Sequence, residues 1–126
     1  MRILYLDDEP SNRLVMSDMF AVAGLEAVYA SDLNEALALW AGADPQLVLA
    51  DLRVIGVSGL AHLSKLQVVR RRAGQSAVHI TAATTDLTAL THAQYLEAGA
   101  DTVIVKPIAF DALLAIVREV AEDMAA

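Results

Sequence analysis

Short apolar segments alternate along this chain with longer segments in which apolar residues recur every three or four positions. A short, nearly continuous apolar run is typical of a buried strand, and a recurrence of three to four positions is typical of a helix with one buried face. The predicted strands are Arg2–Leu6, Glu26–Ala30, Leu47–Leu52, Ala77–Thr81 and Val103–Val105.

Helix start and stop signals lie in the intervals between these strands. Pro10 in a first turn and Gly24 past an end bound the first predicted helix. Asp32 and Glu35 form a capping-box-like start for the second, whose apolar stripe includes Trp40 as a core residue. The remaining helices are predicted around Leu60–Arg70, Leu87–Leu96 and Phe110–Val117.

This strict alternation predicts an α/β fold in which a parallel sheet is covered by helices on both faces. Connections between parallel strands are right-handed, so the helices distribute to the two sides of the sheet. In such doubly wound sheets, ligands bind outside the carboxyl ends of the strands, at the point where the strand order reverses.

Composition narrows the classes of function. A chain of 126 residues is long enough for one domain with its own core. The net charge of -7 argues against direct nucleic-acid binding, because phosphate backbones recruit Lys and Arg. Cysteine is absent, which excludes thiolate metal sites and fits a cytoplasmic protein. Neither a secretion signal nor an uncharged apolar stretch of membrane-spanning length is present in the sequence.

Charged and hydroxyl side chains stand where four of the predicted strands end. Asp7 and Asp8 follow the first strand, Asp51 lies in the third, Thr81 ends the fourth and Lys106 follows the fifth. Each residue alone has an ordinary explanation as a turn, cap or surface charge. Because the carboxyl ends of parallel strands share one edge, the ordered set favours a site for a divalent cation and a phosphoryl group.

Several motifs resemble those of the response-regulator receiver domains of two-component signalling. They are Leu4–Glu9, Leu47–Leu52 with the later Gly59, His79–Ala82, Ala98–Asp101 and Val105–Pro107. The resemblance covers essentially the whole chain. It implies a flavodoxin-like fold with a five-stranded sheet in the order 2-1-3-4-5 and five flanking helices. It also implies a single receiver domain over residues 1–126, with no effector domain in this chain.

The same resemblance assigns roles to the acidic residues. Asp51 would be the phosphoacceptor, forming an acyl phosphate. Asp8 and Asp51 would ligate Mg²⁺ (or Mn²⁺) directly and Asp7 through water, with the backbone carbonyl of Arg53 completing the protein ligands.

Three further residues would contact the phosphoryl group or shape its surroundings. Lys106 would neutralise one phosphoryl oxygen, and Pro107 is the candidate for a cis peptide bond. The hydroxyl that binds another oxygen is Thr81 or Thr84. Thr81 fits the distance along the chain from Asp51, whereas Thr84 fits the distance from Lys106. We prefer Thr81 and keep Thr84 as the alternative.

A phosphorylation-dependent signalling switch, rather than an enzyme, is the function that the resemblance implies. The phosphoryl group would come from a histidine kinase or a histidine phosphotransfer protein. A downstream effector would bind the face formed by helix four, strand five and helix five. The domain itself would contact neither nucleic acid nor membrane directly, and a weak homodimer is compatible with this role. Val103 replaces an aromatic residue that many members keep, so output is expected to depend on helix displacement.

Two other functions stay open from the sequence. A phosphorylation-independent docking scaffold would explain why Ile55 and Val103 depart from the family pattern. A phosphohydrolase with an aspartate nucleophile usually needs a second acid two residues further on, where this chain has Arg53.

Overall fold

The structure is a computed structural model that describes residues 1–51, 59–72, 78–85 and 89–125. Its strands are β1 (Arg2–Leu6), β2 (Glu26–Ala30), β3 (Leu47–Asp51), β4 (His79–Thr84) and β5 (Thr102–Val105). Its helices are α1 (Pro10–Val22), α2 (Leu33–Ala43), α3 (Gly59–Arg72), α4 (Ala89–Glu97) and α5 (Phe110–Ala125). The strands form one parallel sheet in the order β2-β1-β3-β4-β5, which confirms the predicted topology.

Two hydrophobic layers cover the sheet, one on each face. Successive strand residues point to opposite faces, so Tyr5 and Leu49 pack with α1 and α5, whereas Leu4 and Val48 pack with α2 and α3. Trp40 is 2% exposed in the second layer, as predicted. Both faces of the central strands are therefore buried, which explains their unbroken apolar sequences.

The predicted start signals of α1 and α2 are present in the structure. Pro10 is the first residue of α1, and its missing N–H would have had no partner in the first turn. Asp32 caps α2 by accepting a hydrogen bond from the Glu35 N–H at 2.8 Å. The Glu35 carboxylate in turn accepts from the Ser31 N–H at 3.2 Å, so the reciprocal bond goes one residue earlier than in a standard capping box.

β4 differs from the prediction, which ended it at Thr81. The strand continues to Thr84 and pairs with β3 and β5 along its added length. Ala82 and Ala83 have low strand propensity, but both are almost fully buried between the neighbouring strands. Tertiary pairing decides the strand's end here.

The last helix is also longer than predicted. Its stripe of apolar residues was followed only to Val117, but Val120 is 1% exposed and α5 ends at Ala125. None of the helices in the described part of the chain is both long enough and apolar enough to cross a lipid bilayer.

Candidate functional site

The carboxyl ends of β1 and β3 bring three acids together. Leu6 pairs with Ala50 in the parallel ladder, so the residues that follow them, Asp7 and Asp51, emerge side by side. Asp8 comes next to Asp7, and carboxylate oxygens of all three lie within 4.8 Å of one another. Asp7 is 0% and Asp51 2% exposed, and Asp8 is partly buried. Packing forces like charges together at this edge of the sheet.

Lys106 reaches this acidic cluster from the far side of β4. Its Nζ lies 2.8 Å from Asp51 Oδ2 and 3.6 Å from Asp7 Oδ2. The Lys106 side chain is only 10% exposed, and the Lys106–Pro107 peptide bond is cis. Three carboxylates and one ammonium carry a formal charge of -2, since -3 and +1 sum to -2. That charge is complementary to one divalent cation.

Thr81 lies inside the sheet rather than at its edge. Its side chain is fully buried, and its Oγ1 is 2.7 Å from Thr102 Oγ1. Thr102 Oγ1 is in turn 3.0 Å from His79 Nε2, so the hydroxyl belongs to a polar network between β4 and β5. Thr81 pairs with Leu49, two residues before Asp51 and roughly 6.6 Å back along the strand.

Thr84 lies at the edge where the acids meet. It is the last residue of β4, one position beyond Ala83, which pairs with Asp51. Its carbonyl accepts a hydrogen bond from the Lys106 N–H at 2.8 Å. By its backbone position, Thr84, the alternative in the sequence analysis, lies nearer this edge of the sheet than Thr81.

The chemistry of the cluster fits a hard divalent cation. Asp7, Asp8 and Asp51 offer only carboxylate oxygens, the ligands that Mg²⁺ and Mn²⁺ prefer. Arg53, whose backbone carbonyl was predicted as a further ligand, lies outside the described residues, as does Ile55.

Tyr5 is a further residue of the site that the sequence analysis did not single out. Its hydroxyl donates a hydrogen bond to Asp7 Oδ2 at 2.6 Å, while the Glu9 N–H donates to Asp7 Oδ1 at 2.9 Å. Burial raises the pKa of Tyr5 well above its usual range, and the hydrogen bond to Asp7 and the charges of Asp7 and Asp51 raise this pKa further. The phenol therefore stays protonated and remains a donor. A tyrosine two residues before an acid on one strand shares its face, which is the signal that could have identified it.

Comparison with known proteins shows that most of this chain matches one protein family. Residues 3–118 match the family model described as the response regulator receiver domain. The regulatory protein AtoC of Escherichia coli is 31% identical over 117 residues, which cover 93% of this chain and 24% of that protein. The DNA-binding transcriptional regulator NtrC of Salmonella typhimurium is 34% identical over 113 residues, covering 90% of this chain and 23% of that protein.

Solved structures show the same fold. The chemotaxis protein CheY4 of Vibrio cholerae superposes with a TM-score of 0.82 at 26% identity, covering 94% of this chain and 97% of that one. A two-component response regulator from Clostridium difficile has a TM-score of 0.85 at 18% identity, covering 100% of this chain and 99% of that one, and shows the fold alone. The chain spans about a quarter of AtoC and of NtrC.

Proposed function

This chain belongs to the response regulator receiver domain family, and on that premise we propose that it is a phosphorylation-dependent signalling switch that accepts a phosphoryl group on Asp51. The main observation behind the proposal is the acidic cluster of Asp7, Asp8 and Asp51 at the edge of the sheet. Asp51 lies among two other acids that can hold a cation, and its Oδ2 is 2.8 Å from Lys106 Nζ. Receiver domains are signalling switches rather than classical enzymes, and the family binds Mg²⁺ at an acidic pocket. In this proposal Asp7, Asp8 and Asp51 form that pocket.

Asp51 acts as the nucleophile in the proposed transfer. An Asp51 carboxylate oxygen bonds to phosphorus, the bond from phosphorus to the donor breaks, and the donor group leaves with the electron pair. Such transfer depends mainly on positioning and charge compensation, which Lys106 provides beside Asp51 Oδ2. Asp8 and Asp51 would hold Mg²⁺ directly and Asp7 would hold it through water, with the Arg53 carbonyl as a further ligand by family resemblance. The bound cation supplies the remaining neutralisation of charge on the phosphoryl oxygens.

The proposed donor is a histidine kinase or a histidine phosphotransfer protein, and the proposed readout is the face of α4, β5 and α5. A new dianionic group beside Lys106 changes the charge balance at the end of β5. The Lys106 N–H donates a hydrogen bond to the Thr84 carbonyl at the end of β4. A shift of Lys106 would therefore be transmitted to both β4 and β5. Position 103 on β5 is a valine and has no aromatic ring to rearrange, so the proposed output is a displacement of helices.

Metal dependence is the direct test of this function. We expect acetyl phosphate with Mg²⁺ to add one phosphoryl group to the native chain, because the cation offsets repulsion between the acids and the donor. Intact-mass spectrometry measures the added group. Chelation of Mg²⁺ by EDTA should abolish labelling, and restoring Mg²⁺ should recover it. An unchanged mass with Mg²⁺ present would contradict the proposal, and failure to bind Mg²⁺ would favour the docking scaffold.

A matched pair of substitutions tests the hydroxyl assignment. We expect Thr84→Val to remove more than half of the phosphorylation-dependent shifts in backbone amide NMR signals of α4 and β5. Thr81→Val should leave these shifts intact, because its hydroxyl is engaged with Thr102. It should instead lower the free energy of unfolding by about 1 kcal/mol, the net value of a typical hydrogen bond. A larger loss of shifts in Thr81→Val would restore the original preference for Thr81.

A further inference from the structure

One buried hydrogen bond links the acidic cluster to the interior of the sheet. Tyr5 is 1% exposed and lies in the layer between the sheet, α1 and α5. Its hydroxyl is 2.6 Å from Asp7 Oδ2, a short distance typical of a hydroxyl donating to a carboxylate. The two side chains share one face of β1 and of its continuation, two residues apart.

The ring of Tyr5 is held in place by other aromatic side chains. Phe20 packs against it edge-to-face, with ring centroids 5.4 Å apart and planes at 70°. Tyr29 makes a second edge contact at 6.3 Å and 83°. Such packing restricts the ring, and therefore also fixes the position of the hydroxyl that meets Asp7.

Three groups lie close to the two oxygens of the Asp7 carboxylate: the Glu9 N–H, the Tyr5 hydroxyl and Lys106 Nζ. Oδ1 accepts from the Glu9 N–H, and Oδ2 accepts from the Tyr5 hydroxyl, while Lys106 Nζ stays 3.6 Å from Oδ2. Without the Tyr5 hydroxyl, Asp7 Oδ2 would lose this donor and would still have Lys106 Nζ nearby. The carboxylate could then rotate toward the ammonium group and away from the orientation in which it faces Asp8 and Asp51.

We propose that Tyr5 is a positioning residue for cation binding, whose hydroxyl orients the Asp7 carboxylate and keeps Lys106 directed at Asp51. This inference rests on the proposed function, because it assumes that the acidic cluster binds a divalent cation. Groups that hydrogen-bond to metal ligands commonly change metal affinity by ten- to a hundredfold when they are removed.

Tyr5→Phe tests the inference, since it removes the hydroxyl and keeps the ring. We expect the dissociation constants for Mg²⁺ and Mn²⁺, measured by isothermal titration calorimetry, to rise about tenfold. Tyr29→Phe is the matched control, because it removes a phenol from the same aromatic group and should leave both constants unchanged. Circular dichroism and the thermal midpoint of the metal-free variants verify that they are folded.

A second measurement uses the native chain, in case Tyr5→Phe does not fold. With tyrosine labelled by ¹³C at Cζ, titration with Mg²⁺ should shift the Tyr5 resonance and leave that of Tyr29 nearly constant. Unchanged or tighter metal binding in Tyr5→Phe, or an unshifted Tyr5 resonance at metal saturation, overturns the inference and leaves the proposed function intact. If the native chain binds neither metal, the inference and the proposed function both fail.

Discussion

The Asp51→Asn variant should lose all labelling by acetyl phosphate, down to the background of the assay. The amide that replaces the carboxylate has no anionic oxygen to bond to phosphorus, so the nucleophile is removed while the shape of the side chain is kept. Asp51 is 2% exposed at the end of β3, and its Oδ2 lies 2.8 Å from Lys106 Nζ. Intact-mass spectrometry of the variant, with Mg²⁺ present, measures the loss.

Asp123→Asn provides the matched control for this experiment. Asp123 is exposed on α5, and the same chemical change there should leave labelling as in the native chain. A phosphoryl group that is still added to Asp51→Asn at the native level would show that another residue is the acceptor. Peptide mapping of the labelled variant would then locate it.

The second large effect is expected on stability, from Lys106→Met. The ammonium group balances Asp51 and Asp7, which are 2% and 0% exposed. Removing one partner of a buried ion pair leaves uncompensated charge, which costs roughly 3–5 kcal/mol. We therefore expect the free energy of unfolding of the metal-free protein to fall by about 3 kcal/mol in urea denaturation.

Two comparisons separate this electrostatic effect from a general loss of side-chain packing. Lys65→Met, at an exposed position on α3, should change the free energy of unfolding by less than about 0.5 kcal/mol. Adding Mg²⁺, or combining Lys106→Met with Asp51→Asn, should recover part of the lost stability because each reduces the excess negative charge. No recovery in either case would argue that Lys106 contributes through its aliphatic chain instead.

Most of the site could be predicted because its residues follow strand ends that the sequence marks clearly. Asp7, Asp8, Asp51 and Lys106 each come at or just after the end of an apolar run, and parallel strands end at one shared edge. The pairing of Leu6 with Ala50 then brings the acids within 4.8 Å. The gathering of the acids follows from the sheet topology, so the sequence pattern was enough to predict that they lie together.

The hydroxyl position could not be predicted in the same way. The segment from Thr81 to Thr84 has two threonines separated by two alanines, and neither residue type marks a strand end by itself. The end of β4 is decided by pairing with β3 and β5, whose partners lie far away in sequence. Only the register shows that Thr81 lies opposite Leu49 and Thr84 opposite Val105.

By itself, the sequence determined the α/β class, the strand order through family resemblance, and the identity of the acids and the lysine at the edge of the sheet. Those features depend on local periodicity and on residue type, which can be read directly from the sequence. The tertiary structure decided which threonine ends β4, how closely Lys106 approaches Asp51, and that the Tyr5 hydroxyl donates a hydrogen bond to Asp7. These features are contacts between residues on different strands, or between side chains on the same face of the sheet. Their distances depend on the packing of the whole sheet rather than on any one segment.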